Sequence, residues 1–190
     1  PQELIENSNI TCLSIDIAVE DEMQIIDKFI ASTWKKVDVL INNAGCLVNK
    51  PFSQLTQSDF ERVYKVNVFG VANLIRTCLP YMQKGSHVVS ISSMGGIQGS
   101  MKFAGLSAYS SSKGAVITLT ELLAEEYREQ GIAFNVLALG SVQTEMLAEA
   151  FPGYVASVSA KEMAQYIFNF TLNGNQFHNG KIIQVSSTTP

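Results

Sequence analysis

Val37-Asp38-Val39-Leu40-Ile41-Asn42-Asn43-Ala44-Gly45 decides how this chain is read. Its first half, Val37–Ile41, is a short and mostly apolar run, as expected for a strand covered on both faces. Its second half turns polar and small where that strand must end. The same grammar recurs along the chain. Val88–Ile91 runs into Ser92-Ser93, and Phe134–Leu139 runs into Gly140. Ile10–Ile15 reads as an earlier strand ending at Asp16, and Lys181–Val185 as the last one. Helical patterns lie between. Asp21–Thr33 places Met23, Ile26, Phe29 and Ile30 on one side. Thr56-x-x-Asp59 forms a capping-box signal for a helix over Gln57–Leu79, stopped near Pro80. A helix holding Tyr109 runs to about Gln130, with Gly131 as its stop. Ser159-x-x-Glu162 opens another, to about Leu172. Glu145–Val158, which contains Pro152-Gly153, has no firm pattern. Strands alternating with helices predict βαβ units, right-handed crossovers and a parallel sheet with helices on both faces, a three-layer α/β/α fold.

Composition narrows the function classes. The 190 residues suit a single domain, residues 1–190, with a substantial core; 46% are hydrophobic and 16% charged, which argues against a disordered chain. Lys and Arg number 13 against 17 Asp and Glu, for a net charge of −4 with no basic cluster, so nucleic-acid binding is not expected. No apolar run is long enough to span a bilayer and no signal peptide is visible, so no membrane role is expected. Cys12, Cys46 and Cys78 are scattered, without metal-ligand spacing, and fit a reducing cytoplasm. Cys12 and Cys78 read as buried small hydrophobes, Cys46 as a residue lining a pocket. His87 and His178 read as structural or solvated.

In a parallel sheet, ligands bind beyond the carboxyl ends of the strands. Asp16, Asn42–Gly45, Ser92-Ser93 and Gly140 through Thr144 all sit there. Tyr109 and Lys113, in Ser107-Ala108-Tyr109-Ser110-Ser111-Ser112-Lys113, are four residues apart and share one helix face. A phenol is a poor base at neutral pH, and a cation held beside it favours the phenolate. That brings proton exchange with an alcohol oxygen within reach.

Asn42-Asn43-Ala44-Gly45, Asn67-Val68-x-Gly70, Ile91-Ser92-Ser93, Tyr109-x-x-x-Lys113 and Gly140-x-x-x-Thr144 resemble, in order, the motifs of the classical short-chain dehydrogenase/reductase family. The likeness runs from Asp16 to Val185. It implies a Rossmann-like doubly wound sheet and hydride transfer between NAD or NADP and an alcohol/carbonyl pair. By resemblance Tyr109 would be the general acid/base, and Lys113 would bind the nicotinamide ribose and lower the Tyr109 pKa. Ser93 would hold the substrate oxygen, with Ser92 as the rival assignment, and Asn67 would hold a water in the proton relay. Asp16 and Ile17 would contact adenine, Asn43, Ala44 and Gly45 the adenosine ribose, and Val142 and Thr144 the carboxamide and phosphates. Gly45 and Gly140 would let the backbone approach the cofactor. A homodimer or homotetramer, built through the long helices Gln57–Leu79 and Ser110–Gln130, is a further expectation.

The sequence departs from that pattern in three places. The family's glycine-rich phosphate loop does not occur before Asp16. A strand–helix–strand unit of roughly 30 residues is therefore expected to be missing ahead of Pro1, as in a fragment of a longer protein. With it would go the two strands between Ile10–Ile15 and Val37–Ile41. Those two segments are then expected either to lie apart by about two strand spacings, on the order of 14 Å, or to pair directly, the former being favoured. Leu139 stands where the family has proline. Met94 through Ala108 is longer than usual and reshapes the substrate mouth, where Met94, Met101 and Phe103 offer apolar contact. Together with Cys46–Phe52 and a lid over Met146–Val158, it is where specificity is expected to lie. The rival reading is a non-catalytic dinucleotide-binding or regulatory protein on the same fold, or an inactive truncated chain.

Overall fold

The computed structural model describes residues 9–186. Its strands are β1 (Val39–Asn42), β2 (His87–Ser93), β3 (Ala133–Leu139) and β4 (Ile182–Val185). They form one four-stranded parallel sheet in the order β1-β2-β3-β4. β2 and β3 are buried along almost their whole length, which explains their apolar runs Val88–Val89 and Val136–Leu139; the polar residues among them, His87, Ser90, Ser92 and Asn135, are buried too.

The helices follow the predicted boundaries closely. α1 (Met23–Phe29) is extended on either side by a 3₁₀ turn at Glu20–Glu22 and a π turn at Ile30–Trp34. The long helix opening at Thr56 is composite: α2 (Gln57–Tyr64), a π turn over Lys65–Gly70, then α3 (Val71–Cys78). The Thr56/Asp59 capping box forms as expected. α4 is Ser107–Glu126, and Gly131 closes the turns that follow it with φ +71. The unpatterned stretch yields a short α5 (Glu145–Ala150). α6 (Ala160–Asn173) begins on the Ser159/Glu162 capping box. Among the described residues no helix is long and apolar enough to cross a membrane.

The sheet has helices on both faces. Val88 and Phe134 point to one side, where they pack with Ile30 from the π turn after α1 and with Val71, Ile75, Cys78 and Ala124 from α3 and α4. Val89, Ile91 and Leu137 alternate to the other side and meet Ile167 and Phe170 of α6. This is the α/β/α sandwich the alternation predicted. It corrects one detail. The β2–α4–β3 and β3–α6–β4 crossovers step in the same direction across the sheet but lie on opposite faces, so they have opposite hands. Uniform right-handedness does not hold here. The ring of Phe170 stacking against His178 and beside His87 shows what holds α6 on its face.

One expectation fails at the front of the chain. Ile10–Ile15 forms no strand; its residues are mostly exposed and none is in the ladder. Of the two arrangements weighed for it, direct pairing with β1, the less favoured, does not occur: the hydrogen-bonded neighbour of β1 is β2. Apolar alternation marks a strand only where an adjacent edge takes up its backbone groups. Cys12 lies in that segment and is exposed, whereas Cys78 is buried in the core, where desolvation pushes its thiol up to about 11.

Candidate functional site

The site is built on the carboxyl end of β2 and the first half of α4. Gly96 lets these two come together. A Cβ there would lie 2.8 Å from the carbonyl carbon of Lys113 and 2.9 Å from the nitrogen of Gly114. The turn Met94–Gly96 can therefore pass directly beneath the helix.

That close approach resolves the two serines. The Ser92 hydroxyl is buried and donates to the backbone carbonyl of Lys113 at 2.9 Å. It fastens strand to helix and has its proton committed. Ser93 points elsewhere: its oxygen accepts the Gly95 N–H at 3.2 Å, and its side chain lies near enough to the Tyr109 hydroxyl to pull that phenol's pKa down. The predicted Ser93–Tyr109 pair is thus brought together, and Ser92 is structural.

Lys113 is only 5% exposed. Its Nζ donates to the Ile91 carbonyl at 2.8 Å and lies 5.7 Å from the centroid of the Tyr109 ring. Burial pushes its pKa down to about 8. Burial likewise pushes Tyr109 up, with the Ser93 hydrogen bond pulling it back. The net direction for Tyr109 is opposite to the lowering expected from Lys113. Desolvation of the phenolate outweighs the pull of Ser93.

Asn67 sits in the π turn, fully buried, and such turns often mark functional positions. Its Oδ1 accepts the Cys46 N–H at 2.7 Å, and its Nδ2 donates to the Cys46 carbonyl at 2.9 Å and to Ser112 Oγ at 2.8 Å. Ser112 passes its own proton to the Tyr109 carbonyl at 2.7 Å. One amide therefore locks the loop after β1 to the helix turn carrying Tyr109. Ser112 and Cys46 had not been singled out as parts of this frame. The only signal for Ser112 was its i+3 spacing from Tyr109 within a run of serines.

Of the expected cofactor contacts, Gly45 lies closest to the reacting groups: a Cβ on it would be 3.6 Å from both Lys113 Nζ and Asn67 Oδ1 and 3.8 Å from Met146 Cε. Asn43 and Ala44 are exposed beside it. Ile17 packs so tightly on Gly70 that a Cβ there would stand 2.9 Å from its side chain. Asp16 is exposed; its carboxylate accepts the Ala18 N–H and its own N–H donates to Glu22. Thr144 caps α5 through the Leu147 N–H, with Val142 half-buried just before it. Gly140 differs from expectation. The space of its absent side chain faces Ser186 Oγ at 2.7 Å, so a close chain crossing explains this glycine.

A nicotinamide ribose fits the residues present. Among the described residues Ile91 is the one hydrogen-bond acceptor of the buried Lys113 ammonium, which leaves two N–H donors for a diol. The bare backbone of Gly45 lies beside them. No glycine-rich cradle for the pyrophosphate is found among the described residues.

Comparison with known proteins agrees. The family model described as short chain dehydrogenase matches residues 1–154. The 7alpha-hydroxysteroid dehydrogenase of Escherichia coli K12 is 35% identical over 134 residues, 70% of this chain and 51% of that protein. The 3-oxoacyl-[acyl-carrier-protein] reductase FabG of Thermotoga maritima is 30% identical over 70% of this chain and 53% of its own length. The chain thus spans about half the length of the curated relatives it matches. A short chain dehydrogenase from Burkholderia cenocepacia, solved in complex with NADP, superposes with a TM-score of 0.79 at 25% identity over 92% of this chain and 74% of that one. With the ordered strand ends and the Ser93–Tyr109–Lys113 geometry, the family match is decisive: this chain belongs to the short-chain dehydrogenase family.

Proposed function

We propose that the protein carrying this chain is an NAD- or NADP-dependent oxidoreductase that interconverts an alcohol and a ketone or aldehyde. The observation that carries this is the buried Lys113 ammonium held by the Ile91 carbonyl 5.7 Å from the centroid of the Tyr109 ring, with the Ser93 side chain near the Tyr109 hydroxyl. NAD or NADP, when bound, supplies the hydride acceptor or donor. In the oxidative direction Tyr109 takes the hydroxyl proton as the carbinol carbon gives up its hydride; in reduction it returns that proton to the oxygen. Ser93 donates a hydrogen bond to the same oxygen, where negative charge develops during reduction. Lys113 holds the ribose hydroxyls and biases Tyr109 toward ionisation. The Asn67 side chain has both N–H donors committed to Cys46 O and Ser112 Oγ and its oxygen engaged by the Cys46 N–H, so we assign its part in a proton relay to its main chain.

We read the outer faces of the composite helix and α4 as a subunit interface, giving a homodimer or homotetramer. Phe69 and Leu122, 57% and 63% exposed, support this, as does the apolar hollow lined by Phe60, Tyr64 and Phe69. The expected location is the cytoplasm.

The test is a cofactor-linked assay of the protein carrying this chain against a panel of alcohols and carbonyls, repeated with Tyr109→Phe. The variant should bind cofactor as before and lose turnover about 10²–10⁴-fold. Retention of more than about a tenth of the rate would rule out Tyr109 as the acid/base.

A further inference from the structure

Three loops frame the mouth of the site: Cys46–Phe52, Met94–Leu106 and the segment from Glu145 to Val158. The last is a ring closed at its base. Gln143 donates its N–H to Val158 O at 2.8 Å and accepts the Ala156 N–H on its side chain at 2.8 Å. Ser141 Oγ and the Tyr154 hydroxyl, 3.0 Å apart, add a second tie on the same side. Across the mouth matters differ. Among the described residues a single hydrogen bond links 144–158 to the opposite wall: Asn49 Nδ2 donates to Ala150 O at 2.7 Å, between residues 101 positions apart.

Asn49 also meets the third loop. Gly105 has φ +89, and a Cβ on it would stand 2.1 Å from Asn49 Oδ1, so only glycine admits this side chain. The adjacent Lys50 N–H donates to the Gly105 carbonyl at 3.0 Å. Lys50 is in turn anchored: its Nζ grips both carboxylate oxygens of Asp59, at 2.9 and 3.0 Å. Asp59 is the third residue of α2 and the acidic partner in its capping box, held at a pKa of about 2 chiefly by the Thr56 backbone N–H, with Lys50 next. A continuous set of contacts thus runs from the body of the fold to Asn49 and ends on two loops of the mouth. Its far end sets where α5 lies, and α5 carries Met146 to within van der Waals reach of the space beside Gly45 and Lys113.

We propose that Asn49 is a positioning residue, a clasp that holds the Glu145–Val158 lid against the Met94–Leu106 loop and so sets the size of substrate admitted to Tyr109. This rests on the proposed oxidoreductase function. Asn49 touches no reacting atom. It acts through the position of Ala150, so its loss shows in substrate binding before the chemical step.

The decisive variant is Asn49→Asp. It keeps the size and the oxygen beside Gly105, but it replaces the N–H donor with an oxygen facing the Ala150 carbonyl. Hydrogen exchange of the lid amides, residues 145–156, should quicken about 3–10-fold, as loss of one neutral hydrogen bond predicts, while α4 amides stay unchanged. In the protein carrying this chain, KM for substrate should rise with kcat held within about threefold and cofactor affinity unaltered. Gly105→Ala, which displaces Asn49 from the other side, should give the same pattern. Unchanged lid exchange in Asn49→Asp overturns the clasp, and so does a fall in kcat with KM constant. The two readings fail separately. A wild-type protein that turns over while Asn49→Asp leaves lid exchange unaltered refutes the clasp alone. Faster lid exchange in a protein without turnover keeps the clasp as a structural latch and refutes both the oxidoreductase and the substrate-sizing role.

Discussion

The wall that carries Tyr109 and the loops that face it are built on different terms. At the wall, buried polar side chains are tied to the backbone of neighbouring elements, and Asn67 is tied three times over. Ser92 is fixed to Lys113 O, Lys113 to Ile91 O, and Asn67 to both Cys46 and Ser112. All of these lie in or beside the buried strand β2 and α4. At the mouth, exposed segments are held by isolated bonds: Asn49–Ala150 across it and Ser141–Tyr154 on one side. A dense buried network keeps donors aimed where charge develops, which proton and hydride chemistry requires. Sparse, solvated ties leave loops adjustable, which a substrate pocket can exploit. The two regions should therefore answer mutation differently.

The sharpest contrast sits in two adjacent serines. Ser93→Ala should cut turnover about 10²–10³-fold, the loss typical of one donor to a developing oxyanion, with little change in stability. Ser92→Ala should do the reverse, keeping most activity while lowering stability by about 1 kcal/mol, because the Lys113 carbonyl loses its buried partner. Steady-state kinetics and urea melts on the pair check this, and equal kinetic losses would erase the distinction.

Asn67→Ala strikes the frame itself. It strips partners from the Cys46 N–H and carbonyl and from Ser112. A stability loss on the order of 3 kcal/mol is expected, accompanied by weakened activity as the Tyr109 turn loosens. A denaturation midpoint within error of wild type would mean that the wall is less tightly built than its geometry indicates.

Acid should reach the structure behind the wall before the mouth. His87 is buried, and burial lowers its pKa, with His178 nearby acting in the same direction and the Thr171 carbonyl opposing. Its Nδ1 faces the Thr171 carbonyl at 2.9 Å and so carries the proton, and its Nε2 accepts from Asn135 Nδ2 at 3.0 Å. Asn135 cannot flip freely, because its oxygen takes the Lys181 N–H and its nitrogen also serves His178 O. The folded state thus holds His87 neutral, while the unfolded state protonates near pH 6.5. Stability contributed by this site is present above that pH and declines as pH falls through it. Urea midpoints measured between pH 7.5 and 5 should fall, and the slope should flatten in His87→Gln.

Ser141→Ala should have the smallest effect, within about 0.5 kcal/mol of wild-type stability, since its bond to Tyr154 is exposed. A change in substrate KM without a change in melting would be the signature of an adjustable wall.

Much of this was legible in the residues. The apolar runs Val37–Ile41, Val88–Ile91 and Phe134–Leu139 located three strands to within two residues at either end, because a buried parallel strand is largely apolar. The two Ser/Thr-x-x-acid signals placed helix starts to the residue, since a capping box is a local interaction. The i,i+4 spacing put Tyr109 and Lys113 on one face. What tertiary structure alone decided was everything that depends on a distant partner. Ile10–Ile15 has strand composition but no adjacent edge among the described residues, and so is no strand. Ser92 and Ser93 are chemically identical, and only the passage of α4 over Gly96 assigns one to scaffolding and the other to Tyr109. The direction of the Tyr109 pKa depends on how deeply the ring is buried, which spacing cannot reveal. Asn49 owes its part to a carbonyl 101 residues away. Sequence specifies local geometry through short-range sterics and hydrogen bonds, whereas burial and long-range partners exist only once the chain has packed.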